Sequence, residues 1–388
     1  MKKQKKTKVL VAMSGGVDSS VAAALLIKQG YDVTGAFMKQ FTTPTTPYPL
    51  LEKEGRQSVC PWKKDRRDAL RVAAHLGIPL LTLDFEKEYR QWVMAYMFDE
   101  YKKGRTPNPD VMCNKWIKFG VWMDEARRRG FDYLATGHYA NIKTLKHKNI
   151  KTCRLNVAKD ANKDQTYFLH QLTQDQLKYT LFPIGGYLKS EVRSLARKFG
   201  LPTADREESM GICFVGEIPM KEFLQQKIKP KPGKMVLSSG EVVGKHDGLP
   251  FYTIGQRHFR DQGLGTRFQV GNQKPLYVVG KDRKKNQLIV GHEDDPLLWK
   301  KEIEVGEVNW MSGHPPKFPL QCKVRLRHRQ KLQIADLRLQ IDRLIVRFRA
   351  PQKAVTPGQF AVFYVSRRSS QRAKADEQYE CLGGGVIL

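Results

Sequence analysis

No apolar run in this sequence approaches the ~20 residues that a membrane-spanning helix needs, so none is expected. None of its six cysteines (Cys60, Cys113, Cys153, Cys213, Cys322 and Cys381) lies at C-x-x-C spacing from another, which argues against a zinc knuckle or ribbon. No Gly-Lys-Ser/Thr closes a glycine-rich loop, so a Walker A site is excluded. The start, Met1 to Lys8, lacks the apolar stretch and small-residue cleavage site of a secretory signal. It also lacks the Arg- and Ser-rich amphipathic pattern of an import peptide. The expected compartment is therefore the cytoplasm, where thiols default to reduced, mostly buried groups. Acidic residues are also scarce: 39 Asp and Glu stand against 68 Lys and Arg, a net charge of +29. An excess of that size implies a polyanionic partner. Its dispersal through folded-looking segments, with no long basic amphipathic helix, makes a membrane surface the weaker candidate.

What is present reads as two kinds of fold in succession. At 388 residues the chain is long enough for two or three domains. Over the first ~210 residues, strands alternate with helices. Strand-like runs lie at Lys8–Met13, Val33–Met38, Leu80–Leu83 and Tyr133–Thr136. Helices are expected from about Ser19 to Gln29, Asp65 to Leu76, beyond Leu83 to about Tyr101, and Asn114 to Arg129. Glycines just past several helix ends are the usual stop signal. This alternation predicts an α/β fold with a parallel, Rossmann-like sheet covered on both faces. Thr42 to Arg56, rich in Thr and Pro, reads as a long loop, and His147 to Arg154 as a basic turn between short strands. After Phe214 come short strands broken by glycines, and from about Lys301 nearly everything is short strand, which predicts a small antiparallel barrel. The expected domains are 1–214, 215–298 and 299–388.

Ser14-Gly15-Gly16-Val17-Asp18-Ser19 lies between the first strand and the first helix. The glycines allow a tight turn with exposed N–H groups, and the helix points its positive end into the same space. An anion, most simply a pyrophosphate, fits there. Asp18 would repel that anion unless a cation intervened, so Mg²⁺ is expected nearby with Asp18 as a ligand. Cys113 ends Thr106-Pro107-Asn108-Pro109-Asp110-Val111-Met112 and directly precedes an expected helix, whose dipole would favour the thiolate, helped by Lys115 and Lys118. Asp110 is placed to act as an acid or base. Cys213, in Ser209-Met210-Gly211-Ile212-Cys213-Phe214, has apolar flanks and on its own reads as a core thiol. Two thiols meeting near a nucleotide loop would suit sulfur chemistry, one carrying a persulfide and the other resolving it, but spacing alone does not bring them together.

The phosphate loop resembles that of the PP-loop ATP pyrophosphatases. With the rest of an ordered series, the chain resembles the tRNA 2-thiouridylases of that superfamily. The series continues with Cys60-Pro61, Asp65, Asp68-Ala69, Thr106 to Asn114, Ala135-Thr136-Gly137-His138-Tyr139 and Lys163 to Leu169. It ends with Lys189 to Arg193, Ser209 to Cys213, His246-Asp247-Gly248, Gly255-Gln256-Arg257, Val355 to Gln359 and Leu382 to Gly385, so it spans nearly the whole chain. The resemblance implies ATP-dependent adenylation of the wobble uridine of the tRNAs for Lys, Glu and Gln. A cysteine persulfide, loaded by a cysteine desulfurase and sulfur-relay proteins, then displaces AMP. It implies that Cys113 is the nucleophile, that Cys213 carries the persulfide, and that a disulfide between them accompanies release. It maps ATP contacts to Ala12, Met13, Ser14, Gly15, Gly16, Val17, Asp18, Ser19, Met38 and Gly137. Asn108, Pro109 and Asp110 map to the target-base pocket, and His138, Lys163, Asp164, Gln165, Arg327, His328 and Gln359 to tRNA contacts. His328 stands where the family more often has Tyr, and Lys39-Gln40-Phe41-Thr42 lacks an expected aspartate. Two alternatives stay open. One is an iron–sulfur cluster on Cys60, Cys113 and Cys213 as the sulfur carrier; the other is a PP-loop ligase that uses ammonia or an amine and no thiol.

Overall fold

The computed structural model describes residues 6–39, 61–147, 150–207, 220–257, 275–341, 343–367 and 378–388. Strands are numbered along the chain. The first sheet holds β1 (Lys8–Ala12), β2 (Asp32–Lys39), β3 (Leu80–Asp84), β4 (Tyr133–Thr136) and β7 (Thr180–Leu181), in the order β3-β2-β1-β4-β7. Every pairing in it is parallel. Successive residues of β1 point to opposite faces, and both faces are buried. Val9 and Val11 join one apolar cluster with the helices Val17–Lys28, Pro61–Leu76 and Lys189–Lys198. Leu10 joins another with residues between Tyr89 and Ala126. That explains the nearly unbroken apolar run of β1 and bears out the expected α/β fold. The strand order reverses direction at β1, because β2 and β3 lie on one side and β4 on the other. This leaves a crevice at the carboxyl ends of β1 and β4, the usual ligand site in such sheets.

A hairpin follows β4: β5 (Asn141–His147) and β6 (Ile150–Asn156). It leaves the first sheet and pairs through β6 with β17 (Gln378–Ile387) near the chain end. The second sheet, order β10-β11-β8-β9, holds β8 (Gly233–Leu237), β9 (Val242–His246), β10 (Tyr277–Asp282) and β11 (Gln287–Gly291). The third sheet adds β12 (Trp299–Trp310), β13 (Leu320–Arg325), β14 (Gln333–Gln340), β15 (Arg343–Lys353) and β16 (Phe360–Arg367) to β17. Pairing of β12 with both β15 and β17 closes these six antiparallel strands into the expected barrel. Gly383-Gly384-Gly385 weakens the sequence signal for β17 yet is what lets the barrel close. A Cβ at Gly383 would stand 1.9 Å from the Asn309 carbonyl, and one at Gly385 2.5 Å from that of Gly306.

The barrel and the parallel-sheet region are joined through buried polar groups. Arg325 of β13 donates to the Asp164 carboxylate at 2.8 Å, and both are nearly inaccessible. Thr166 and the Ala158 amide also donate to Asp164. The Tyr167 hydroxyl donates to the Leu326 and Phe360 carbonyls. Removing one partner of such a buried pair strands the other charge, so the joint is held in one register.

Candidate active site

The loop after β1 is built as its sequence suggests. Gly15 has φ +76°, Gly16 caps the helix Val17–Lys28, and the hydroxyls of Ser19 and Ser20 donate to the Gly16 carbonyl at 3.1 and 2.8 Å. The Ser14 amide donates to Ser19 Oγ at 3.2 Å. Ala12 ends β1, buried Met13 follows it and donates its amide to the Ala36 carbonyl at 2.8 Å, and buried Met38 lies near the end of β2. Gly137 follows β4 and is packed so closely that a Cβ there would sit 2.7 Å from the Ser19 amide nitrogen. Ser14 to Ser19 and Gly137 thus meet at the crevice between β1 and β4, while Met38 lies on β2, on the other side of β1.

One cation beside Asp18 is a side chain of this chain. Lys189 Nζ lies 2.7 and 2.8 Å from the two Asp18 carboxylate oxygens, and the Tyr139 hydroxyl donates to Asp18 at 2.8 Å. Sequence reasoning did not pair Asp18 with Lys189 or Tyr139, although both belong to the recognised motifs. A second brace was also missed. Arg206 donates to the Gly15 carbonyl at 2.7 Å and to Asp68 at 2.9 Å, and pairs with Asp65. Both aspartates sit on the helix Pro61–Leu76, so one guanidinium ties that helix to the loop. Among the described residues, no three His, Cys, Asp or Glu side chains cluster to hold a metal ion.

Cys113 differs from its expected placement. The helix begins one turn earlier, at Pro109, because Asn108 caps it by accepting from the Val111 amide at 3.3 Å and proline suits the first helical position. Cys113 is buried one turn inside and opens a widened π-helical stretch, Cys113–Val121. The dipole acts mainly within the first turn, which here holds Asp110 rather than the thiol. Burial raises the Asp110 carboxyl above its ordinary value, against a smaller lowering by Lys118. A carboxyl so perturbed beside a cysteine is a candidate acid–base group.

The remaining mapped residues divide by what they touch. His138 is buried between Phe119 and Phe182, its ring 2.7 Å from the Thr136 hydroxyl through Nδ1. Burial, then Lys118, hold it well below the ordinary imidazole value, so it is neutral. Gln165 accepts from the Tyr139 amide at 2.9 Å. The His328 ring packs on Phe168 at 4.7 Å, supplying the aromatic surface a tyrosine would. Burial and then Arg329, Arg325 and Lys163 push its pKa down to about 4. The Phe168 carbonyl accepts from Asn114, next to Cys113. Lys163 is half-buried. Asp164 is consumed by Arg325 and Thr166 inside the domain joint and presents no surface to a ligand. Arg327 and Gln359 line a cavity of about 410 Å³ with Thr253, Ile254, Gly255, Gln256 and Thr356.

Residues 136–139 connect the two halves of the site. Gly137 abuts Ser19, His138 packs on Phe119 of the Cys113 stretch, and Tyr139 reaches Asp18 and Gln165. Cys60 and Cys213 lie outside the described residues. Cys113, Cys153, Cys322 and Cys381 are all buried. Burial pushes Cys322 up to about 12 and Cys381 higher, so neither is a reactive thiolate.

Comparison with known proteins adds an independent line. Residues 7–217 match the family model described as a tRNA methyl transferase HUP domain. Residues 221–292 match a tRNA methyl transferase PRC-barrel domain, and residues 300–387 an aminomethyltransferase beta-barrel domain. A tRNA-specific 2-thiouridylase MnmA of Lacticaseibacillus paracasei is 45% identical over 382 residues, 98% of this chain and 94% of that protein. Those of Enterococcus faecalis and Coxiella burnetii (strain RSA 493 / Nine Mile phase I) are 45% and 43% identical. Each match covers 98% of this chain, and 95% and 97% of the relative respectively.

Proposed function

The chain belongs to the tRNA-specific 2-thiouridylase family, and from that premise we propose how its residues carry out the thiolation. ATP binds with its phosphates on the Ser14–Ser19 loop, where N–H groups and the start of the helix Val17–Lys28 face the anion. A uridine, proposed to be the wobble base of the tRNAs for Lys, Glu and Gln, enters beside Asn108, Pro109 and Asp110 after leaving its stack. Its 2-carbonyl oxygen attacks the α-phosphorus, giving an adenylated base and pyrophosphate. The terminal sulfur of a Cys213 persulfide then attacks C2 and expels AMP. The Cys113 thiolate next attacks Sγ of Cys213, breaking the S–S bond that links it to the base. This frees 2-thiouridine and leaves a Cys113–Cys213 disulfide, which a thiol reductant reopens. The logic is one of leaving groups: a carbonyl oxygen leaves poorly and AMP leaves well, while alignment of the groups supplies much of the rate.

Asp110 is the group we assign to moving protons on the base during activation and release. Mg²⁺, if bound, would neutralise phosphate charge. Asp18 offers suitable hard oxygens, which it shares with Lys189, so the phosphates would supply most of the other ligands. A cysteine desulfurase and sulfur-relay proteins are the proposed persulfide source.

The observation that carries this reading is the 136–139 segment, which touches both the nucleotide loop and the Cys113 stretch. Its test is nucleoside mass spectrometry of tRNA incubated with the protein, ATP and a persulfide donor. The expected product is 2-thiouridine with stoichiometric AMP and pyrophosphate. A methylated uridine, or thiolation without ATP, would overturn it. A brown, cluster-bearing protein after anaerobic purification would favour the iron–sulfur alternative. A narrower expectation follows for Lys189→Ala. Without its ammonium, the Asp18 carboxylate faces the phosphates a few ångströms away. The Kd for ATP should rise about tenfold, roughly 1.4 kcal/mol, by titration calorimetry. Unchanged affinity would remove Lys189 from the nucleotide site.

A further inference from the structure

We infer that Gln359, immediately before β16 in the barrel, is a positioning residue that sets the conformation of the Thr106–Asn108 segment and, through it, of Asp110 and Cys113. The inference rests on the reading of Asn108–Cys113 as the base pocket. The resemblance assigns Gln359 only a contact with tRNA. Its amide is already engaged within the protein. Nε2 donates to the carbonyls of Thr106 and Pro107, both at 3.0 Å, and Oε1 accepts from Asn108 Nδ2 at 3.3 Å. An amide has two donors and one acceptor oxygen, so its polar groups match those three consecutive residues.

The backbone of the same turn adds to the grip. The Thr106 amide donates to the Pro357 carbonyl at 2.9 Å. Gly358, at φ +91°, approaches so closely that a Cβ would sit 2.9 Å from the Thr106 carbonyl oxygen. The strand of chain entering this clamp is fixed from behind by the buried Glu100, which pairs with Arg105 at 2.5 Å. From the central region, Lys281 donates to the Gly104 carbonyl at 2.9 Å, and the Thr253 and Thr106 hydroxyls lie 3.1 Å apart. All three parts of the protein therefore hold residues 104–108, and the helix bearing Asp110 and Cys113 starts immediately after. Gln359 also lines the 410 Å³ cavity with Arg327. A nucleotide seated there would meet the same side chain that holds the pocket, which couples docking on the barrel to alignment of the catalytic groups.

The test separates positioning from tRNA contact by measuring the protein without tRNA. Gln359→Ala and Gln359→Glu are compared by hydrogen–deuterium exchange read peptide by peptide and by single-turnover adenylation. Glutamate is of similar size but sets a carboxylate against two carbonyls, so it should be at least as damaging. In both variants, amides of residues 106–112 should exchange about tenfold faster without tRNA, as loss of one or two hydrogen bonds implies. Peptides covering β13 and β15 should keep their protection, which separates local release from unfolding of the barrel. The maximal adenylation rate should fall about tenfold, with the Kd for tRNA within about threefold of the parent. A raised Kd with unchanged rate, and unchanged exchange at 106–112 in both variants, would overturn the inference and leave Gln359 as a tRNA contact. The exchange readout needs no reaction, so failure of the thiolation scheme would leave it standing.

Discussion

Replacing Cys213 with serine is expected to abolish formation of 2-thiouridine, by at least ~10³-fold, while adenylated tRNA still forms and accumulates. The first half follows from nucleophilic catalysis, since removing the sulfur carrier removes the bond-forming atom. The second follows from the separation of the two halves of the site. Adenylation precedes sulfur transfer in the proposed sequence and uses the nucleotide loop, which is assembled by Gly16, Ser19, Gly137, Lys189 and Arg206. Cys113→Ser should block release instead, trapping tRNA on Cys213 through the S–S link to C2. Acid-quenched single turnovers with labelled ATP, followed by non-reducing gel analysis of the tRNA, distinguish the two states. If neither variant accumulates its intermediate, the division of labour between the thiols fails. If Cys113→Ser retains full thiolation, Cys113 is not the resolving nucleophile.

The second large effect is expected at Asp110, where activity and stability should move in opposite directions. Asp110→Asn removes the proposed proton carrier and should lower the thiolation rate by about 10²–10⁴-fold, the usual range for a general acid–base group. The same change should stabilise the free protein. Burial raises the Asp110 carboxyl in the folded state from 3.8, against the opposing effect of Lys118. The favourable contribution of the protonated acid is fully present below the unfolded value and is lost as pH rises through the raised folded value. Above the raised folded value the parent holds a partly desolvated carboxylate that asparagine does not. The variant should gain about 0.5–2 kcal/mol there, as substitutions that relieve a functional strain often do. The gain should shrink as pH falls through the raised folded value and vanish only below 3.8, where the carboxyl is protonated in both states. Denaturation midpoints across that range provide the measurement. A variant less stable than the parent at every pH would show that Asp110 is a structural hydrogen-bonding group.

Much of the chemistry was legible before any coordinates. Ser14 to Ser19 follows a strand and opens a helix, so its tight turn at a helix start follows from local geometry alone. Asp18 announced a cation. The helix Asn108 caps was read one turn late, because an N-cap is visible only when the side chain is seen to accept from the Val111 amide. That single turn moves the helix dipole from Cys113 to Asp110. β17 is harder to read locally: its glycines weaken its strand signal, and their use lies in close approach to β12 across the barrel.

By itself, the sequence determined the alternation of strands and helices, the anion loop, the basic character and the set of chemically capable residues, because each rests on neighbours along the chain. Tertiary structure alone decided which charges meet. Lys189 lies 171 residues from Asp18, Arg325 lies 161 from Asp164, and Gln359 reaches back more than 250 residues to Thr106–Asn108. The energy of an ion pair or a hydrogen bond depends on distance and solvent exclusion in space, and chain folding, not spacing in sequence, sets both.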